Sequence, residues 1–69
     1  AAGEVLEKAG AKNMSVGGAC VYEKHANFIV NYGRATAADV KALARKMKNA
    51  VLQMFGIELH EEVIYIGQI

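Results

Sequence analysis

The residues with the chemistry best suited to catalysis stand near the end of the chain, where His60, Glu61 and Glu62 interrupt an apolar run. A carboxyl at the edge of an apolar surface has its pKa raised, which makes it a proton donor near neutral pH. Side chains alternate along a strand, so neighbouring glutamates point to opposite faces and at most one faces a given cleft. Glu61 shares its side with Ile57, Leu59, Val63 and Tyr65; Glu62 shares the other with Glu58, His60, Ile64 and Ile66. Strict alternation therefore favours Glu61 as the partly buried carboxylate, unless the strand kinks there.

A second group is Glu23, Lys24, His25, Ala26 and Asn27, expected as a loop between two strands. Such a loop reads a polar ligand when packed strands hold it, and is equally a plain hairpin connection. The sites of other chemistries are poorly supplied. His25, His60 and the single Cys20 have no zinc-ligand spacing. Gly17-Gly18 lacks the Lys-Ser/Thr of a phosphate loop and the third glycine of a dinucleotide fingerprint, so it reads as a turn. Cys20 lies in the apolar run Ala19 to Val21 and reads as packing.

The elements that must position these groups follow from periodicity. Ala1 to Ala9 reads as a short helix with Val5, Leu6 and Ala9 on one face, Glu4, Glu7 and Lys8 on the other, and Gly10 as its stop. A β-rich, glycine-punctuated middle follows. Met14 to Val16, Ala19 to Tyr22 and Asn27 to Asn31 are the strand candidates, and Tyr32-Gly33 is a turn. From Thr36 to Phe55 the spacing predicts a long amphipathic helix. Val40, Leu43, Met47, Val51 and Met54 form its apolar strip, Lys41, Arg45 and Lys48 its wet side. Thr36 and Asp39 make a capping pair at its start, and Gly56 ends it. Ile57 to Ile66 is expected as a strand or a bent pair of strands. Segregated strands with two helices indicate an α+β fold, one domain over residues 1–69.

Composition narrows the function classes. A chain of 69 residues that is 54% hydrophobic is not disordered, and a net charge of +1 gives no electrostatic case for nucleic acid or an anionic membrane. No apolar run reaches the roughly 20 residues of a membrane span. With one cysteine and no leader the expected compartment is the cytoplasm. The chain has no initiator Met and opens within a helix, as a piece of a longer protein would.

These segments together resemble one family. AG-A-KN (Ala9 to Asn13), GGACV (Gly17 to Val21), KHANFIVN (Lys24 to Asn31), ATAADV (Ala35 to Val40), FGIEL (Phe55 to Leu59), EEV (Glu61 to Val63) and IG (Ile66-Gly67) resemble the C-terminal domain of UDP-N-acetylenolpyruvoylglucosamine reductase. The resemblance runs in order over essentially the whole chain. It implies a substrate-binding domain of an FAD enzyme of peptidoglycan synthesis. That enzyme uses NADPH to reduce UDP-N-acetylglucosamine enolpyruvate to UDP-N-acetylmuramate, with the FAD-binding domains of the same enzyme as partners. By the same resemblance FAD and NADPH bind mainly outside this chain, and the chain alone is expected to be inactive. The family's glutamate, which supplies or polarises a proton at an enolic intermediate, falls on Glu62. Its lysine near the substrate's charged groups falls on Lys12, and a substrate-contacting polar position on His25.

The chain departs from the family pattern at three places. Asn13 replaces a glycine, Glu61 a proline, and Ile64 an arginine. A proline just before the glutamate kinks the strand, which is why the resemblance selects Glu62 where alternation selects Glu61. Ile64 removes a cation beside that carboxyl. A different class of function, a stand-alone binding or oligomerisation module with this fold and no chemistry, is the alternative.

Overall fold

A computed structural model of the chain describes residues 2–59 and 64–68. Helix α1 (Ala2–Lys8) leads through a 3₁₀ turn, Ala11–Asn13, into strand β1 (Ser15–Val16). Strands β2 (Ala19–Tyr22) and β3 (His25–Asn31) follow, then helix α2 (Ala37–Phe55) and strand β4 (Ile64–Gln68). The fold is α+β, as the residue pattern predicts.

The sheet runs β1-β2-β3-β4. The first three strands are antiparallel and joined by tight turns, while β4 lies parallel to β3. Parallel neighbours cannot be joined by a hairpin, so the chain crosses over through α2 to bring β4 alongside. Residues 57–59 are not a strand, which corrects the expectation of β structure from Ile57 onward; among the described residues pairing begins at Ile64, opposite Phe28.

Helix α2 begins as its sequence specifies. The Thr36 hydroxyl accepts from the Asp39 backbone N–H at 3.0 Å, and Asp39 Oδ2 accepts from the Thr36 N–H at 3.1 Å. Two backbone donors that the helix cannot pair internally are thus satisfied reciprocally. At the other end Gly56 adopts φ 67°, the left-handed turn that costs glycine little, and its N–H reaches back to the Leu52 carbonyl.

Both helices pack on the sheet around one core. Leu6 and Ala9 of the first helical turn region, Ala19, Val21, Ala26 and Ile29 of the strands, and Leu43, Met47 and Val51 of α2 are buried together. Val40 is only partly buried, and Met54 is 60% exposed, so the apolar strip of α2 is shorter at its C-terminal end than its spacing predicts. Leu52 and Phe55 are exposed as well, so the last turn of the helix runs past the elements it packs on.

Asn31 organises the connection from β3 to α2. Its Oδ1 accepts from the Gly33 and Ala35 N–H groups at 2.9 and 3.1 Å. Within that turn Arg34 has φ 56°, an uncommon conformation for a side-chain-bearing residue. The same turn closes on Gly18, where a Cβ would stand 1.8 Å from the Gly33 carbonyl oxygen. Only a glycine lets the two backbones approach this closely.

Candidate functional site

Helix α1, the 3₁₀ turn and the start of β3 enclose an open cleft of about 300 Å³. Lys12 enters it from the 3₁₀ turn, Glu7 from the last turn of α1, and Lys24, His25 and Asn27 from the β2–β3 hairpin. Lys12 and His25, both singled out by the family resemblance, therefore line the same cleft. Glycine at position 3 makes room on the helix side: a Cβ there would lie 3.3 Å from Asn27 Oδ1.

The hairpin differs from its expected form. His25 and Ala26 belong to β3, which therefore starts two residues before the expected Asn27, and the turn is confined to Glu23 and Lys24. His25 pairs with Tyr22 across a register shift between Val21 and Tyr22. A bulge of this kind bends a strand and re-aims its side chains. Here it seats the exposed His25 ring between two aromatic neighbours, with centroids 6.1 Å away at Tyr22 and 5.2 Å away at Phe28. Ala26, one residue on, is buried against the core. The hairpin is thus a strand end carrying polar groups.

Glu7 lies on the solvated face of α1, as the periodicity predicts, and its Oε1 accepts from Lys12 Nζ in a salt bridge across the Gly10 turn. That hydrogen bond, and then the charge of the ammonium, hold the Glu7 carboxyl below its ordinary pKa. The signal available in the sequence was an acid in the final turn of a helix and a base just beyond its glycine stop.

Glu62, with His60 and Glu61, lies outside the described residues. Cys20 is half-buried in β2 and has no disulfide partner. Among the described residues no cluster of three or more His, Cys, Asp or Glu side chains is placed to hold a metal, and no helix is long and apolar enough to cross a membrane. The Gly17-Gly18 turn is not a phosphate cradle. Space beside Gly17 is occupied by the Asp39 carboxylate and space beside Gly18 by the Gly33 backbone. The turn therefore leaves no room for a phosphate beside either glycine. A second, more apolar cavity of about 400 Å³ lies where Thr36, Val40 and Lys41 of the α2 start meet Tyr65 of β4.

Comparison with known proteins agrees with the motif resemblance. Residues 1–66 match the family model described as UDP-N-acetylenolpyruvoylglucosamine reductase, C-terminal domain. The UDP-N-acetylenolpyruvoylglucosamine reductase of Heliobacterium modesticaldum is 56% identical over 66 residues, covering 96% of this chain and 21% of that protein. Those of Moorella thermoacetica and Desulfosudis oleivorans are 51% and 46% identical over 67 residues, each covering 97% of this chain and 22% and 21% of the relative. The chain spans about one fifth of the length of these relatives. With a family model matched over nearly its full length and identities of this order, the chain belongs to the family of UDP-N-acetylenolpyruvoylglucosamine reductase C-terminal domains.

Proposed function

We propose that this chain is the substrate-binding and proton-donating C-terminal domain of a cytoplasmic, FAD-dependent reductase. That enzyme uses NADPH to convert UDP-N-acetylglucosamine enolpyruvate to UDP-N-acetylmuramate for peptidoglycan synthesis. The observation that carries the reading is the convergence of Lys12 and His25 on one cleft in a chain of this family.

The work of this domain's own residues follows from their chemistry. Lys12 and Lys24 bring ammonium groups to the cleft, where a pyrophosphate or carboxylate would gain charge-assisted hydrogen bonds. His25, held against Tyr22 and Phe28, and the Asn27 amide supply directional contacts for a sugar or uracil. Glu62 is assigned the proton delivered to the enolic intermediate, a role that suits a carboxyl kept protonated by a closed cleft. By the family resemblance FAD and NADPH are assigned mainly to the FAD-binding domains of the same enzyme, and the domain alone is expected to be inactive. Leu52, Met54, Phe55 and Ile57, all exposed at the end of α2, are consistent with a domain that packs against further protein.

The test is to purify the natural gene product and record its mass and visible absorption. A yellow protein several times heavier than 7.4 kDa is the expected result. A colourless product of that mass would replace the reductase reading with a stand-alone binding or oligomerisation module.

A further inference from the structure

The cleft that would receive an anionic ligand already contains an anion of its own. Lys12 Nζ donates to Glu7 Oε1, and both side chains are substantially exposed, at 34% and 55%. Glu4 lines the same cleft without pairing to Lys12 among the described residues. Glu7 and Lys12 come from the last turn of α1 and from the 3₁₀ turn, and the left-handed backbone at Gly10 turns the chain between them.

We propose that Glu7 is a competing counter-ion that sets the affinity of the cleft for anions: it holds the Lys12 ammonium in the free domain, and a phosphate or carboxylate of the ligand must take its place. This rests on the cleft being the ligand site, as proposed above. Two physical points support it. Glu7 is ionised at neutral pH as any exposed glutamate is, and Lys12, by lowering its pKa, keeps the position opposite the ammonium negatively charged further into the acid range. An exposed ion pair is also weak, because water solvates both partners well, so a multiply charged ligand displaces it readily while a neutral one gains nothing by entering. The carboxylate thereby keeps Lys12 oriented toward the cleft and makes any ligand anion compete with it for the ammonium.

The experiment titrates UDP-N-acetylglucosamine, whose pyrophosphate supplies the anion, into the ¹⁵N-labelled chain and follows the amide shifts around the cleft. Glu7→Gln is expected to tighten the dissociation constant about two- to fivefold, the range an exposed pair can give. Glu4→Gln removes the same charge from the same cleft and is expected to change it by less than half as much. In a Lys12→Met background Glu7→Gln is expected to have no effect. Equal affinities for wild type and Glu7→Gln, with Lys12→Met still weakening binding, would overturn the role of Glu7 and leave the cleft reading standing. Equal tightening by Glu4→Gln and Glu7→Gln would also overturn it, since net charge alone would then explain the change. No saturable shift in any of these chains would remove the cleft reading and this proposal with it.

Discussion

The Asp39 carboxylate fills the space that a side chain at Gly17 would need: a Cβ on Gly17 would stand 2.4 Å from Asp39 Oδ2. One side chain thus closes the capping box of α2 and covers the β1–β2 turn, fixing the start of the helix on the sheet. Gly17 also has φ 56°, so a larger residue there is strained and crowded at once. Gly17→Ala is expected to cost about 2–3 kcal/mol, through the left-handed backbone and the displaced cap together. Gly10 has φ 84° with open space around it, and Gly10→Ala should cost only about 1 kcal/mol. Thermal unfolding of the two variants checks the difference, since 1 kcal/mol corresponds to roughly 4–8 °C in a domain of this size.

The end of the α2 strip supplies a second comparison. Met47 is fully buried and Met54 is 60% exposed, although both fall on the predicted apolar face. Met47→Ala is expected to cost about 2–5 kcal/mol by leaving a cavity in the core. Met54→Ala should stay within about 0.5 kcal/mol. Denaturant midpoints at unchanged slope would check both; a large loss at Met54 would contradict the exposed end of the helix.

The Glu7–Lys12 pair predicts a pH response. The folded-state pKa of Glu7 is depressed, so whatever the pair contributes is present above the unfolded pKa and is lost as pH falls through the folded one. The δ-carbon resonance of Glu7 should titrate below the ordinary glutamate range. In Lys12→Met the midpoint should move up toward that range. An unchanged midpoint in Lys12→Met would mean that the pair does not persist in solution.

On the proposed reading, the two adjacent glutamates separate cleanly in the intact enzyme. Glu62→Gln is expected to lower turnover by on the order of 10²–10⁴, the usual contribution of a positioned proton donor. Glu61→Gln should leave turnover within a few-fold. The reverse result would move the assignment by one residue and restore strict alternation of the final strand.

On the same proposed reading, His25→Ala should weaken UDP-N-acetylglucosamine binding, and, because the residue is exposed, it should leave stability unchanged. Calorimetric titration and thermal unfolding of one variant read the two effects separately. A loss of stability comparable to a core truncation would make His25 a structural residue of the hairpin.

What the chain order alone determines here is local. The capping box at Thr36 and Asp39, the left-handed stop at Gly56, the strand Ala19–Tyr22 and the buried positions Leu43, Met47 and Val51 all depend on neighbours within a few residues. Their periodicity and turn chemistry survive into the fold because tertiary packing agrees with them. The motifs that carry the family resemblance are likewise readable as written. Tertiary structure alone decides the rest. The bulge at Val21/Tyr22 draws His25 into β3, and the crossover places β4 parallel to β3. The end of the sheet-facing layer leaves Met54 in solvent. The path around Gly10 joins Lys12 to Glu7 and brings both to the cleft that His25 enters from the hairpin. Periodicity reports which face of an element is apolar, but not where a neighbouring element ends or which side chains meet across a turn, because those depend on contacts distant in the chain.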